Sequence, residues 1–136
     1  MIALKIQSDS LEAWQNRGDV QIKLQQDSEA IASYDQGIKF PKNYPQAWYS
    51  RGNALYNLKN YQGAIASYNQ AVALKPNYHE AWYSLGNAFF SLKQYSQAVT
   101  SFEEALHYKS DYQEASKGKE QALQAAQVIS EEESRE

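Results

Sequence analysis

At 136 residues with 43% apolar content, the chain is the size of one ordinary domain and can bury a core; a net charge of −3 excludes a global basic field for nucleic acid or anionic lipid. Cysteine is absent, which excludes disulfides, thiolate metal sites and a cysteine nucleophile, and which fits a reducing, cytoplasmic setting. No apolar run approaches the roughly 18 residues of a membrane span, and Ile2-Ala3-Leu4 is too short an apolar core for a signal peptide.

Residues 1–10 fall under Gly37-Ile38-Lys39 and Ala71-Val72-Ala73 when shifted by 34 and 68 positions. They predict the tail of a truncated preceding repeat, so that the chain is an excerpt from a longer array; a short lead-in is the alternative. Then Ala13-Trp14-Gln15-Asn16-Arg17-Gly18 opens a unit that returns as Ala47-Trp48-Tyr49-Ser50-Arg51-Gly52 and as Ala81-Trp82-Tyr83-Ser84-Leu85-Gly86. Large and small residues in constant register mean stacked copies of one supersecondary unit. The repeats are 11–44, 45–78 and 79–112.

Each repeat predicts two helices. In the second, Ala47, Trp48, Arg51, Ala54, Leu55 and Leu58 recur at three- and four-residue steps, and so do Tyr61, Ala64, Ile65, Tyr68, Ala71 and Val72. Lys59-Asn60 makes the tight connection, with Asn60 placed to cap the second helix. Pro76 stops that helix because it lacks an N–H and restricts the residue before it. Lys39, Lys75 and Lys109 fall in last turns, where a cation suits the helix dipole.

A glycine inside a helix costs about 1 kcal/mol relative to alanine, so Gly52 and Gly86 need a packing reason. The expectation is close backbone approach, with Ala30, Ala64 and Ala98 facing the glycines and Tyr34, Tyr68 and Phe102 filling the space one turn on. Gly37, Ala71 and Ala105 form a second small position at which the next repeat docks. After Tyr112 the pattern fades: Ala115 keeps register while Ser116 replaces Trp. Residues 113–128, with Ala122, Leu123 and Ala126 as an apolar stripe, read as a solvating end helix. The Glu-rich residues 129–136 read as a disordered tail.

These residues resemble a tetratricopeptide repeat (TPR) array. The family pattern W-x2-L-G-x2-Y, A-x3-F and Pro in 34 residues is met by Trp82, Leu85, Gly86, Phe89, Ala98 and Phe102 in the third repeat. Trp48, Gly52, Leu55, Ala64, Tyr68 and Pro76 meet it in the second, and Trp14, Gly18, Ala30 and Tyr34 in the first. Departures are Arg17 and Arg51 for Leu, Gln21 for an aromatic and Ser110 for Pro; an Arg stem packs while its head reaches water. The resemblance implies an all-α, right-handed superhelical solenoid of antiparallel helix pairs, about seven helices in all.

Enzymatic constellations are missing. His79 and His107 are isolated, the glycines form no phosphate loop, and Glu103-Glu104 and Glu131-Glu132-Glu133 are neighbours on a helix, which do not converge. The expectation is a non-catalytic module with no metal and no cofactor. In TPR proteins the first helix of each pair lines the inside of the curve. By register the concave groove then carries Gln15, Asp19, Tyr49, Ser50, Asn53, Tyr56, Asn57, Tyr83, Ser84, Asn87 and Phe90. Asn offers donor and acceptor to an extended backbone, and Tyr offers rigid apolar area at small entropic cost. A protein or peptide segment is therefore the expected ligand, and the module a scaffold or adaptor.

One ligand subclass is argued against. Some TPR domains hold acidic chaperone tails with Lys, Arg and Asn. The matching positions here are Tyr49, Asn53, Ser84, Glu114 and Gly118, or one period earlier Gln15, Asp19, Ser50, Glu80 and Ser84. Neither set supplies the cations, and Glu80 or Glu114 repels a carboxylate, so no strong binding to such a tail is expected. Residues 36–79 hold five Lys or Arg and no Asp or Glu, which makes the second repeat locally basic. That falls far short of an RNA-binding surface. Two alternative readings stand beside the interaction module. One is self-association or docking through an open N-terminal edge at Met1–Ile6, Ala13 and Trp14; the other is regulation of an attached enzyme.

Overall fold

The computed structural model describes residues 11–39 and 44–135. The reading of 1–10 as a repeat tail, and with it the Met1–Ile6 edge, lies outside the described residues. Among those described the structure is all-α: α1 Leu11–Lys23, α2 Asp27–Gly37, α3 Pro45–Asn57, α4 Tyr61–Leu74, α5 His79–Ser91, α6 Tyr95–Tyr108 and α7 Gln113–Ser134. The chain divides into two compact units, Met1–Lys75 and Pro76–Glu136.

In the first unit α1 packs on α2, α3 on α4, and α2 on α3. The turn inside each pair is set by one residue in the left-handed region: Gln25 at φ 59° and Lys59 at φ 62° here, Lys93 at φ 60° in the second unit. The next residue's N–H then reaches back five positions, from Gln26 to the Gln21 carbonyl at 2.8 Å and from Asn60 to that of Leu55 at 2.9 Å. This is the Schellman closure, which usually recruits glycine. No glycine marks it here, so the sequence signal was confined to the 34-residue recurrence. Asn60 caps α4 as expected, its Oδ1 accepting from the Gly63 N–H at 3.0 Å.

The glycines face rings rather than the alanines. A Cβ added at Gly18 would lie 2.5 Å from the Tyr34 ring, and one at Gly52 would lie 2.6 Å from that of Tyr68. The buried second-helix aromatic lies flush against the first helix, closer than any side chain allows. Gly37 has Leu11 and Trp14 of α1 as its nearest neighbours, so it helps to seat its own repeat. The Arg51 stem packs while its head stays partly exposed, as expected, and the head is also paired. Its Nε donates to Asp35 Oδ1 at 2.6 Å and its Nη1 to Ser67 Oγ at 2.7 Å, with the guanidinium over the Trp48 ring. The pairing joins α2, α3 and α4, because a fork of donors can bridge two acceptors.

In the second unit α6 packs on both α5 and α7. Phe102 is 1% exposed between two glycines, with added Cβ atoms 2.6 Å away at Gly86 and 2.7 Å away at Gly118. Ala98, Ala105, Ala115 and Ala122 complete the buried cluster. Leu123, expected on the buried stripe of α7, is exposed. The tail expected to be disordered is helical through Ser134. Glu is a good helix former, Gln127 Nε2 donates to Glu131 Oε1 one turn on, and Ser134 Oγ donates to the Glu131 carbonyl.

Candidate peptide-binding site

In the first unit Asp19, Ile22 and Lys23 of α1, Tyr34 of α2, and Ser50 and Asn53 of α3 line an open pocket of about 300 Å³. Its floor is a hydrogen-bond chain. The Tyr34 hydroxyl donates to Asp19 Oδ1 at 2.6 Å, with Ser50 close by. Burial first, then the Asp19 hydrogen bond and charge, push the Tyr34 phenol well above its ordinary range; the Ser50 side chain works the other way. One repeat on, the Tyr68 hydroxyl donates to Asn53 Oδ1 at 2.6 Å. The two bonds arise from one placement: the ring that lies on Gly18 or Gly52 carries its hydroxyl to the Asx residue that follows the glycine.

The structure sorts the residues expected in the groove. Asp19, Ser50 and Asn53 come together in this pocket. Tyr49 lies half-buried with its ring tilted on Tyr68 at 5.9 Å, and Tyr56 meets Tyr61 edge-on at 5.1 Å. Asn57 reaches Asp27 at 3.4 Å, at the start of α2. Gln15 is corrected: at 9% exposure its side chain is spent in packing and is not presented to a ligand. Ile22 and Lys23, which share the groove columns of Tyr56 and Asn57 by register, line the pocket too; Tyr34 of the second helix does so without a place in those columns, and the recurrence of Tyr34 and Tyr68 fifteen residues after Asp19 and Asn53 was the available signal.

The second unit repeats the aromatic placements. Tyr83 tilts on Phe102 at 5.8 Å and on Tyr112 at 5.1 Å, and Phe90 meets Tyr95 edge-on at 5.1 Å. Ser84 and Asn87 are half-buried on α5. Phe102 carries no hydroxyl, so Asn87 lacks the partner that Asn53 has. Among the described residues no group of three or more His, Cys, Asp or Glu could hold a metal ion, and no helix is long and apolar enough to cross a membrane.

A TPR-repeat family model matches residues 18–59 and 52–92, and a tetratricopeptide-repeat model matches 79–112. The chain belongs to the tetratricopeptide repeat family. Its architecture is that of a protein-interaction module. No curated protein matches it. Among solved structures it is similar to the first TPR of Spaghetti (RPAP3) bound to the HSP90 peptide SRMEEVD, at 27% identity over 85% of this chain and 92% of that one, TM-score 0.82. The first TPR domain of human RPAP3 is 27% identical over 91% of this chain and 96% of that one, TM-score 0.81. The second TPR domain of human RPAP3, in complex with the HSP70 peptide SGPTIEEVD, shares the fold at 23% identity over 81% and 92%, TM-score 0.78.

These complexes overturn the expectation against an acidic chaperone tail. TPR domains with this fold carry acidic HSP90 and HSP70 peptides. The register comparison had weighed only two sets of positions. Neither set included Lys23, a cation that lines the same pocket as Asn53.

Proposed function

We propose that each unit of this TPR chain offers its first-helix faces, opposite Trp14 and Trp48 in one and opposite Trp82 in the other, to an extended segment of a partner protein. The observation that carries this is the pocket between α1 and α3. Asp19 and Asn53 each spend one polar atom on a buried tyrosine and keep the other, and the half-buried rings of Tyr49 and Tyr56 lie on the same helix as Asn53. Preorganised polar groups beside rigid aromatic area are the composition of an interface that holds a chain without large ordering cost. The RPAP3 domain bound to SRMEEVD supports the same reading by similarity.

The test begins with SRMEEVD and a scrambled control by calorimetry on the full chain, with a displayed peptide library supplying the ligand if neither binds. The variant Tyr49→Ala/Asn53→Ala/Tyr83→Ala/Asn87→Ala should remain helical and lose at least about tenfold in affinity, since interface anchors of this kind are worth above 1 kcal/mol each. Undiminished binding by the folded variant would move the site off these faces.

A further inference from the structure

The α1–α3 pocket presents hydrogen-bonding groups of fixed polarity, and the residues that fix it lie on the second helices. An unconstrained Asn offers donor and acceptor alike and can turn over. Tyr68 removes that freedom. Its ring is 1% exposed, and its hydroxyl donates to Asn53 Oδ1. The Asn53 nitrogen is the end left over, and it makes no hydrogen bond among the described residues. Asn53 thus meets a ligand as a donor. Asp19, on the facing helix, receives the Tyr34 hydroxyl on Oδ1, and an ionised carboxylate can only accept. Its second oxygen meets a ligand as an acceptor. The Ser50 hydroxyl lines the same pocket near Tyr34.

We infer that this pocket is a subsite for one main-chain peptide unit, its carbonyl accepting from Asn53 Nδ2 and its N–H donating to Asp19, with Tyr68 and Tyr34 as positioning residues that set this polarity. The inference rests on the peptide-binding reading above. A carboxylate brings two acceptors, one of which would face Asp19. An ammonium or guanidinium brings only donors, which would face the Asn53 amide and Lys23. A secondary amide, with one acceptor and one donor on opposite sides, satisfies both walls. Every segment contains such units, acidic tails included, so the subsite selects the direction in which a segment lies and not its side chains. The third repeat lacks the device, because Phe102 stands where Tyr34 and Tyr68 stand and leaves Asn87 able to turn.

The experiment uses small probes on the ¹⁵N-labelled full chain: N-methylacetamide (a single peptide unit), acetate and methylammonium, at matched ionic strength. N-Methylacetamide should shift the Asn53 side-chain amide and the Ser50 backbone amide in a saturable manner, while the other two leave the Asn53 amide unmoved. Tyr68→Phe should weaken that response about fivefold, the worth of one neutral hydrogen bond, with the rest of the spectrum preserved. Tyr95→Phe, outside the pocket, should respond as the parent does. Asn53→Asp, which keeps an acceptor for Tyr68 but loses the donor, should abolish the response and covers the case in which Tyr68→Phe fails to fold. Acetate binding more tightly than N-methylacetamide, or a folded Tyr68→Phe responding as the parent does, would overturn the inference. The peptide assay is separate: a saturable amide response together with undiminished peptide binding by the quadruple variant would keep the subsite and remove the peptide-binding reading.

Discussion

Gly52→Ala is the most direct probe of how the repeats hold together. On helix propensity alone the change should stabilise by about 1 kcal/mol. The structure predicts the opposite sign. The new Cβ would lie 2.6 Å and 2.7 Å from two carbons of the Tyr68 ring, where ordinary contact begins near 3.4 Å, so the ring must move by the better part of an ångström. It is 1% exposed, its face meets Tyr49, and its hydroxyl is tied to Asn53. Overpacking a full core costs about 1–3 kcal/mol, and giving up the hydroxyl bond adds about 0.5–1.5 kcal/mol. Against the propensity gain, a net loss of about 2 kcal/mol is expected. Gly63→Ala is the internal control: its Cβ would meet only the exposed Asn60 side chain, which can swing aside at the loss of a cap worth about 1 kcal/mol, so the two terms nearly cancel. Urea denaturation followed by circular dichroism reads both, with the slope checked for constancy. A Gly52→Ala protein as stable as Gly63→Ala would refute the ring-on-glycine account.

Arg51→Met should destabilise by about 1–3 kcal/mol in the same assay, because Ser67, fully buried, loses its donor; Asp35 is well solvated and contributes little. A Ser67→Ala background should remove most of that loss. Lys59→Gly should stabilise by about 1 kcal/mol, since the φ of 62° strains a side-chain-bearing residue and not glycine; a lowered midpoint would show that the turn is not strained. The Tyr34 phenol is raised above its ordinary value of 10.0. The unfolded chain therefore loses that proton first, and the stability it contributes is full below pH 10 and lost as pH rises beyond it. Tyr34→Phe should flatten the alkaline loss relative to the parent, and an unchanged difference between pH 9 and pH 11 would count against it.

The functional reading depends on what packing leaves over. Half of each Asx residue is consumed by a tyrosine and half is offered. A register argument counts the whole side chain, and so it overstated what Asn53 can do alone. Gln15 shows the same limit: it shares a column with Tyr49 and Tyr83, yet it is buried where they are half-exposed.

Helix, pair and period were legible in the residues because they rest on local chemistry and on spacing. Trp, Gly and Ala recur every 34 positions, Asn60 caps through a bond three residues long, and helix periodicity needs no partner to be seen. Contacts between side chains far apart in sequence are not local, and tertiary structure decided them. Arg51 pairs with residues sixteen positions before and after it. The rings of Tyr34, Tyr68 and Phe102, not the alanines, fill the glycine gaps. Only a packed ring held at a fixed depth can bring its hydroxyl to Asp19 or Asn53, and that depth sets which end of each side chain faces the pocket.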